Sequence, residues 1–478
     1  MAHTLNQTAT PSQATHSLSP DILDTIRPAR RSTIIKYILP KYPILALACL
    51  ASVAHAADEA HSKEALAALK TYLTTSADHR PAIATQPFAA TPLTKSDAQS
   101  AQQLLGSDYV AQIRTTRAAE VKDRLLTSGD LKMPFFYTTF GDKPAGGRSL
   151  FISMHGGGNA PASLNDSQYE NQKHLYKPPE GVYLAPRAPT NTWMLWHESH
   201  IDTFFDRLIE DLIAFEDVNP NRVYLMGYSA GGDGVYQLAP RMADRFAAAS
   251  MMAGHPNDAS PLGLRNLPFS IHVGALDNGF DRNKVAMQWE QKLAALREND
   301  LQGYIHWVKL YDGKAHWMDG QDAAAIPWMM QFTRNPIPAK IVWKQGNAPH
   351  DRFYWLALDA ETAKSAKGKQ VIATLDPAPP LPSGSPAPAA PTVPARGPAL
   401  AANQPATITL ETADYDKVTV RLSDAMLDLD KPLTIIAAGK PRFTGMPNRT
   451  IATLSKTLHE RGDPAAVYAA EMEIGLKP

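Results

Sequence analysis

The sequence predicts an α/β protein with a mostly parallel central sheet, followed by a smaller β-rich C-terminal domain. Three observations predict it. Between residues 132 and 335, apolar strand-like runs alternate with helical patterns. Several of those runs, such as Val182-Tyr183-Leu184-Ala185 and Val223-Tyr224-Leu225-Met226, are continuously apolar, as strands are when both sheet faces are covered. Beyond Pro338, short β-rich runs follow one another with little helix between them.

The chain has 478 residues, more than one core usually holds, so two or three domains are expected. Lys+Arg is 47 and Asp+Glu is 47. A chain balanced in this way lacks the basic footprint of a general nucleic-acid binder. Hydrophobic residues at 44% and charged residues at 20% exclude global disorder. Cys49 is the only cysteine, which excludes an intrachain disulfide and a Cys-based zinc site.

Residues 1–56 read as a signal peptide with an extended N-terminus. Arg30, Arg31, Lys36 and Lys41 precede the apolar run Ile44-Leu45-Ala46-Leu47-Ala48-Cys49-Leu50-Ala51, and Ala54-His55-Ala56 supplies an A-x-A cleavage pattern. Export, to a secreted or periplasmic location, is the expectation. The apolar run is shorter than the roughly 20 residues that span a bilayer, and no other stretch is long enough, so no transmembrane span is expected. Ala46-Leu47-Ala48-Cys49 also resembles a degenerate lipobox, which makes a lipid anchor on Cys49 the alternative.

Residues 57–131 read as a helical lead-in that packs on the next domain. Ala65, Leu66, Leu69 and Leu73 recur at helical spacing, as do Val121, Leu125 and Leu126, while Pro81, Pro87 and Pro92 interrupt the pattern. In the segment 132–335, strands are predicted at Phe135–Phe140, Ser149–Met154, Val182–Ala185, Arg222–Met226, Phe269–Val273 and Tyr304–Leu310. Phe204, Phe205, Leu208, Leu212 and Phe215 line one intervening helix, and Val285, Trp289, Leu293 and Leu296 line another. In the segment 336–478, strands are predicted at Phe353–Leu358, Gln370–Thr374, Ala406–Leu410, Val418–Leu422 and Leu433–Ile436. One helix carries Ile451, Leu454 and Leu458, with Gly462 just past its end. Ten of the 39 prolines fall between Pro377 and Pro405. That stretch splits strand-like segments of the β-rich domain, so it reads as an extended insertion, 377–405, rather than an interdomain linker.

The residues that carry chemistry sit where predicted strands end. Gly227-Tyr228-Ser229-Ala230-Gly231-Gly232 follows the strand at 222–226 and opens a helical stretch. A strand, a sharp turn and a helix with small residues around a serine make a nucleophile elbow. His155-Gly156-Gly157-Gly158 follows the strand at 149–154, where glycines let the backbone turn N–H groups toward a substrate oxygen. Gly157, Gly158 and Ala230 are therefore the candidate oxyanion-hole donors. A triad then needs an acid and a histidine in the order Ser, Asp/Glu, His. Asp277 follows the strand at 269–273, and His316 follows the strand at 304–310. Asp281 is the competing acid, with a helix N-terminal role as its plainer explanation.

Other candidates are weaker. Trp193, Trp196 and Trp317 lie with Arg187 in loops after predicted strands, where α/β folds bind ligands, and His255 follows the elbow helix. They are candidate pocket residues, with core packing the competing explanation for the tryptophans. His197, His200 and Asp202 have a spacing that suits a metal, but no fourth ligand stands out and they read better as a helix start. His350-Asp351-Arg352 reads as a structural contact.

Taken together, His155–Gly158, Gly227–Gly232, Asp277 and His316 resemble the α/β-hydrolase fold in order and in placement. The Ser-Ala-Gly-Gly elbow is similar to that of secreted esterases of the poly(3-hydroxybutyrate) depolymerase and feruloyl esterase type. The run Arg222–Tyr236 also resembles the phospholipase/carboxylesterase-like branch. The resemblance covers residues 132 to 335 and implies a serine hydrolase that cleaves carboxylic esters, small or polymeric, with no cofactor and no metal. Two alternatives stay open at this stage: a serine peptidase of the prolyl-oligopeptidase type, and an inactive hydrolase fold used as a binding module.

Overall fold

In the computed structural model, residues 44–379 and 405–476 are described. The chain divides into two units, Met1–Ser52 and Val53–Pro478. Helix α1 (Ile44–Leu73) carries the apolar run and the Ala54-His55-Ala56 stretch, and the rest of the 1–56 segment lies outside the described residues. Among the described residues no helix is long and apolar enough to cross a membrane.

The lead-in continues through α2 (Lys95–Thr116) and α3 (Ala118–Asp123). Thr94 caps α2: its side chain accepts the Asp97 N–H. Ala98, Ala101, Leu105, Tyr109 and Ile113 form the buried face of α2. The helical reading of Leu125 and Leu126 is corrected here. Arg124 turns left-handed at φ 57° and ends α3, so these leucines open an antiparallel hairpin of β1 (Leu125–Ser128) and β2 (Leu131–Phe140).

The remaining α/β elements follow in order. They are β3 (Arg148–Met154), α4 (Ala162–Gln172), β4 (Gly181–Pro186), α5 (His200–Glu216), β5 (Val218–Tyr228), α6 (Ala230–Arg241), β6 (Ala248–Met252), β7 (Phe269–Gly274), α7 (Arg282–Asn299), β8 (His306–Tyr311) and α8 (Ala325–Met329). The eight strands form one sheet in the order β1-β2-β4-β3-β5-β6-β7-β8. The pairs from β4 to β8 are parallel, and β2 joins antiparallel at the side. Strand β8 begins two residues later than the sequence suggests, because Tyr304 adopts φ 55° and leaves the extended region.

Two registers decide where the site forms. Met154 at the end of β3 lies opposite Gly227 near the end of β5. Gly274 at the end of β7 lies opposite Tyr311 at the end of β8. The glycine-rich loop therefore leaves the sheet beside the serine turn, and the Asp277 loop leaves it beside the His316 loop.

The C-terminal region contains β9 (Lys340–Lys344), β10 (Arg352–Phe353), β11 (Leu356–Ala357), α9 (Ala360–Lys364), β12 (Gln370–Asp376), β13 (Ala406–Ala413), β14 (Lys417–Leu422), β15 (Leu433–Ala437), β16 (Lys440–Gly445), α10 (Ile451–Arg461) and β17 (Ala470–Gly475). They make a four-stranded sheet, β10-β11-β14-β17, and a five-stranded sheet, β16-β15-β13-β12-β9. The single strand expected at 353–358 is instead a tight hairpin, because Tyr354 turns at φ 53°. Leu356, Val420 and Ile474 of these sheets share one buried cluster with Leu150, Leu225 and Ile271 of the eight-stranded sheet. Beside it, buried Asp463 faces Arg334 at 2.6 Å and Arg245 at 3.8 Å. Burial alone would raise its pKa, but Arg334, Arg245 and Arg461 together hold its carboxyl below the usual range.

The lead-in is sealed from both sides. Buried Leu66, Leu69 and Leu105 pack in one cluster with Ala214 of α5 and with Ile451, Leu454 and Leu458 of α10. Tyr109 of α2 donates to Glu210 of α5 at 3.1 Å, and Leu93 N–H donates to the carbonyl of Arg449 at 2.9 Å.

Of the proline-rich insertion, 377–405, residues 380–404 lie outside the described residues. Its flanks do not. Asp376 of β12 pairs with Thr407 of β13, so the insertion enters and leaves the sheet at neighbouring points. A short loop can close that gap, and loop-closure entropy depends only weakly on length. Replacing residues 380–404 with a short Gly/Ser loop is expected to leave the melting temperature within about 2 °C of the parent, a stability change of under about 1 kcal/mol. Differential scanning calorimetry of the two proteins checks this.

Candidate active site

Ser229 occupies the turn between β5 and α6 with φ 59° and ψ −121°. That is strained territory for a residue with a Cβ and is characteristic of a serine thrust out of the sheet edge. The glycines around it make room. A Cβ on Gly231 would run into the carbonyl of Met154, at the end of the neighbouring strand β3. The elbow can sit against β3 only with glycine there.

Ser229 Oγ lies 2.9 Å from His316 Nε2, and His316 Nδ1 lies 2.8 Å from Asp277 Oδ2. Three loops from three strands thus bring the groups into one line. The Asp277 side chain is almost wholly enclosed, and Arg282 stands 3.7 Å from its second oxygen. Asp281 points elsewhere: it is exposed, sits at the N-terminus of α7 and pairs with Lys284 at 2.7 Å.

The glycine loop lies beside the serine, with Gly156 packed against Ser229. Gly157 adopts φ 111° and Gly158 φ 85°. One expectation is corrected here. The N–H of Gly158 donates to Asn165 Oδ1 at 2.9 Å, so it is already spent inside the protein. Gly157 and Ala230 are left as the candidate donors. Asn165 is fully buried and its amide also donates to the carbonyl of Ala160 at 3.1 Å, which ties the glycine loop to the start of α4. His155 braces the same loop. Its Nδ1 lies 2.6 Å from the carbonyl of Gly156, and its Nε2 accepts the Ala188 N–H at 3.1 Å. These contacts fix the neutral tautomer with the proton on Nδ1, and burial pulls its pKa down to about 4. It is a structural imidazole rather than a second base.

A cavity of about 820 Å³ opens at Ser229 and His316. Leu164, Gln168, Asn171 and His174 from α4 and the turn after it form one wall, and Trp317 stands on the other side. The remaining pocket candidates are not in this lining. Trp196 is wholly buried and its indole N–H donates to the carbonyl of His155 at 2.9 Å, so it is core. Trp193 is half exposed and packs on Phe280 with ring centroids 5.5 Å apart. The backbone N–H of His255 donates to Asp233 at 2.6 Å, and its ring turns toward Asn257. Arg187 is taken up by Asp166 and by the carbonyl of Ala188. Asp202 is held by Arg241 and by His350 Nε2, each at 2.6 Å, so the carboxylate of the His197/His200/Asp202 set is engaged by side chains from two other segments.

Besides the α4 wall, two residues that brace the site are not assigned from the sequence. Asn165 carries no local signal, since nothing in a lone asparagine marks it as the acceptor for a loop seven residues upstream. Tyr228 was visible inside the elbow motif, but its hydroxyl reaches the His316 loop, a contact only tertiary structure reveals.

The strand order, the parallel centre of the sheet and the serine turn after β5 define an α/β-hydrolase fold. The chain matches no protein-family model and no curated protein. Among solved structures it is similar to a thermostable esterase, at 17% identity and TM-score 0.36, over 44% of this chain and 62% of that one. It is also similar to a ferulic acid esterase, at 17% identity and TM-score 0.32, over 43% of this chain and 95% of that one. A third is poly(aspartic acid) hydrolase-1 from Sphingomonas sp. KT-1, at 15% identity and TM-score 0.33, over 43% and 96%. The chain thus spans less than two thirds of the first of these proteins. All three likenesses are remote, and the chemistry assigned below comes from this chain's own residues.

Proposed function

We propose that the protein is a serine hydrolase that cleaves carboxylic esters through an acyl-enzyme. The observation that carries this is the line Ser229–His316–Asp277, with contacts of 2.9 and 2.8 Å, at the mouth of an 820 Å³ cavity. His316 Nε2 takes the proton as Ser229 Oγ attacks the ester carbonyl. Asp277 keeps the other ring proton on Nδ1 and stabilises the imidazolium. The developing oxyanion is received by the N–H groups of Gly157 and Ala230, the latter at the N-terminus of α6, where the helix dipole adds to the effect. His316 then gives its proton to the leaving alcohol. Water then attacks the acyl carbonyl as His316 Nε2 takes its proton, and His316 returns that proton to Ser229 Oγ as the bond to the serine breaks and the acid leaves. None of these steps calls for a metal or a cofactor.

The test is a panel of p-nitrophenyl acyl esters run beside peptide anilides. Ester turnover with inert anilides supports the reading. Anilide cleavage without ester turnover would overturn it in favour of a peptidase.

We also propose that the protein is exported and that its mature form begins at Ala57. The basic, apolar and A-x-A order of residues 30–56 supports this. Intact-mass spectrometry of the exported protein is expected to give a chain starting at Ala57. A lipid-bearing Cys49 terminus would show anchoring instead.

A further inference from the structure

His316 has to reach Ser229 from a distant part of the sheet. It sits in the loop after β8, and β6 and β7 stand between β8 and β5. That loop is secured at two points. On one side, Leu276 N–H donates to the carbonyl of Lys314 at 2.8 Å, which fixes the loop to the segment that carries Asp277. On the other, the Tyr228 hydroxyl donates to the carbonyl of His316 at 2.7 Å and accepts the N–H of Met318 at 3.1 Å. The Tyr228 ring also packs edge-on against the imidazole, with centroids 6.0 Å apart, and lies 5.6 Å from the ring of Trp317.

We propose that Tyr228 is a positioning residue for the histidine: its hydroxyl clasps the backbone on both sides of residue 317 and so holds His316 Nε2 within reach of Ser229. Tyr228 precedes Ser229 in the chain, so the clasp ties the base to the nucleophile's own turn. The hydroxyl has used its one proton and accepts a second bond, which leaves it no part as an acid or as an oxyanion donor. Burial, with the charge of Asp322 second, pushes its pKa well above the usual phenol value, so it stays a neutral donor across the working range. Without the hydroxyl, the buried Met318 N–H loses its acceptor and the His316 carbonyl its donor, which leaves the loop held from the Asp277 side and by the packing of the Met318 side chain.

This inference rests on the serine-hydrolase reading, and the experiment separates the two. Tyr228→Phe keeps the ring and removes the clasp. Its kcat on p-nitrophenyl acetate, and its rate of labelling by a fluorophosphonate, are expected to fall about 10- to 100-fold, the size of effect that follows a misplacement of about 1 Å. KM should change less than about twofold, because a displaced base lowers chemistry rather than binding. Assays run well below each variant's melting temperature keep unfolding out of the comparison. A second readout needs no turnover: the downfield proton resonance of His316 Nδ1–H, identified by its absence in His316→Ala, is expected in the parent and lost to exchange in Tyr228→Phe. Parental kcat together with a parental resonance would overturn the proposal, as would a lower melting temperature with kcat and the resonance unchanged. If the parent neither labels nor turns over ester, the hydrolase reading fails, and the resonance alone still decides whether Tyr228 positions His316.

Discussion

Ser229→Ala is expected to abolish ester hydrolysis and fluorophosphonate labelling while the protein stays folded. The Oγ lies 2.9 Å from His316 Nε2 at the cavity mouth, and the other hydroxyl among the residues lining the cavity, that of Tyr228, is committed to the His316 carbonyl and the Met318 N–H. Loss of a nucleophilic serine costs about 10⁶ in kcat in a well-studied triad enzyme, which puts the variant near the background of most assays. Alanine keeps the Cβ that the turn at φ 59° already accommodates, so no new strain enters. One side-chain hydrogen bond is lost, worth about 1 kcal/mol, which shifts the melting temperature by a few degrees at most. Parallel activity, labelling and thermal scans check this. Labelling at the parental rate in the alanine variant would show that another residue is the nucleophile.

Asp277→Asn and Asp281→Asn are expected to differ by about 10⁴ in kcat, the cost of leaving a triad histidine in the wrong tautomer. At 277 the amide would present either an N–H or a weaker carbonyl acceptor to His316 Nδ1, which now faces a carboxylate at 2.8 Å. The imidazolium formed during attack would lose the enclosed carboxylate that serves as its counter-charge. At 281 the carboxylate is exposed and pairs only with Lys284, an interaction worth about 0–1 kcal/mol. Asp281→Asn should therefore keep kcat and KM within experimental error. Steady-state kinetics on the pair decides it, and the reverse pattern would move the acid's role to Asp281.

The elements that sequence reveals best are those whose chemistry is local. A serine in a turn at φ 59° demands glycines around it, and the run from Gly227 to Gly232 states that need openly. Strands covered on both faces read as unbroken apolar runs, which is why β3, β4, β5 and β7 are legible, whereas the short alanine-rich β6, Ala248–Met252, is not among the predicted strands. The wall of the cavity was not. Helix α4 buries Asn165, Tyr169 and Gln172, with no apolar stripe to give its period away. Gly158 looked equal to Gly157 as a donor because the two differ only in what lies across the gap, and only one of them faces the side chain of Asn165 as an N–H donor. Trp196 looked like a pocket residue because it shares a loop with Trp193. Burial separates them: one indole found a carbonyl partner inside, and the other stayed half exposed against Phe280. Leu125 and Leu126 had a helical spacing, but one left-handed residue, Arg124, ended the helix ahead of them.

The packing of α2 between α5 and α10 sets an order of events for folding. Five of the six buried residues that cluster with residues 65 to 113 lie between 451 and 469 and arrive last. A chain emerging from a ribosome or a translocation channel presents the first segment long before the last. Until then Leu66, Leu69 and Leu105 stay open to water or to other chains. Contacts of such long sequence separation also slow the final closure, since their loop entropy has to be met before the contacts form. Truncation after α9 would leave this face bare even though every residue of the Ser229 site were present, and insolubility rather than inactivity is the outcome such a truncation points to.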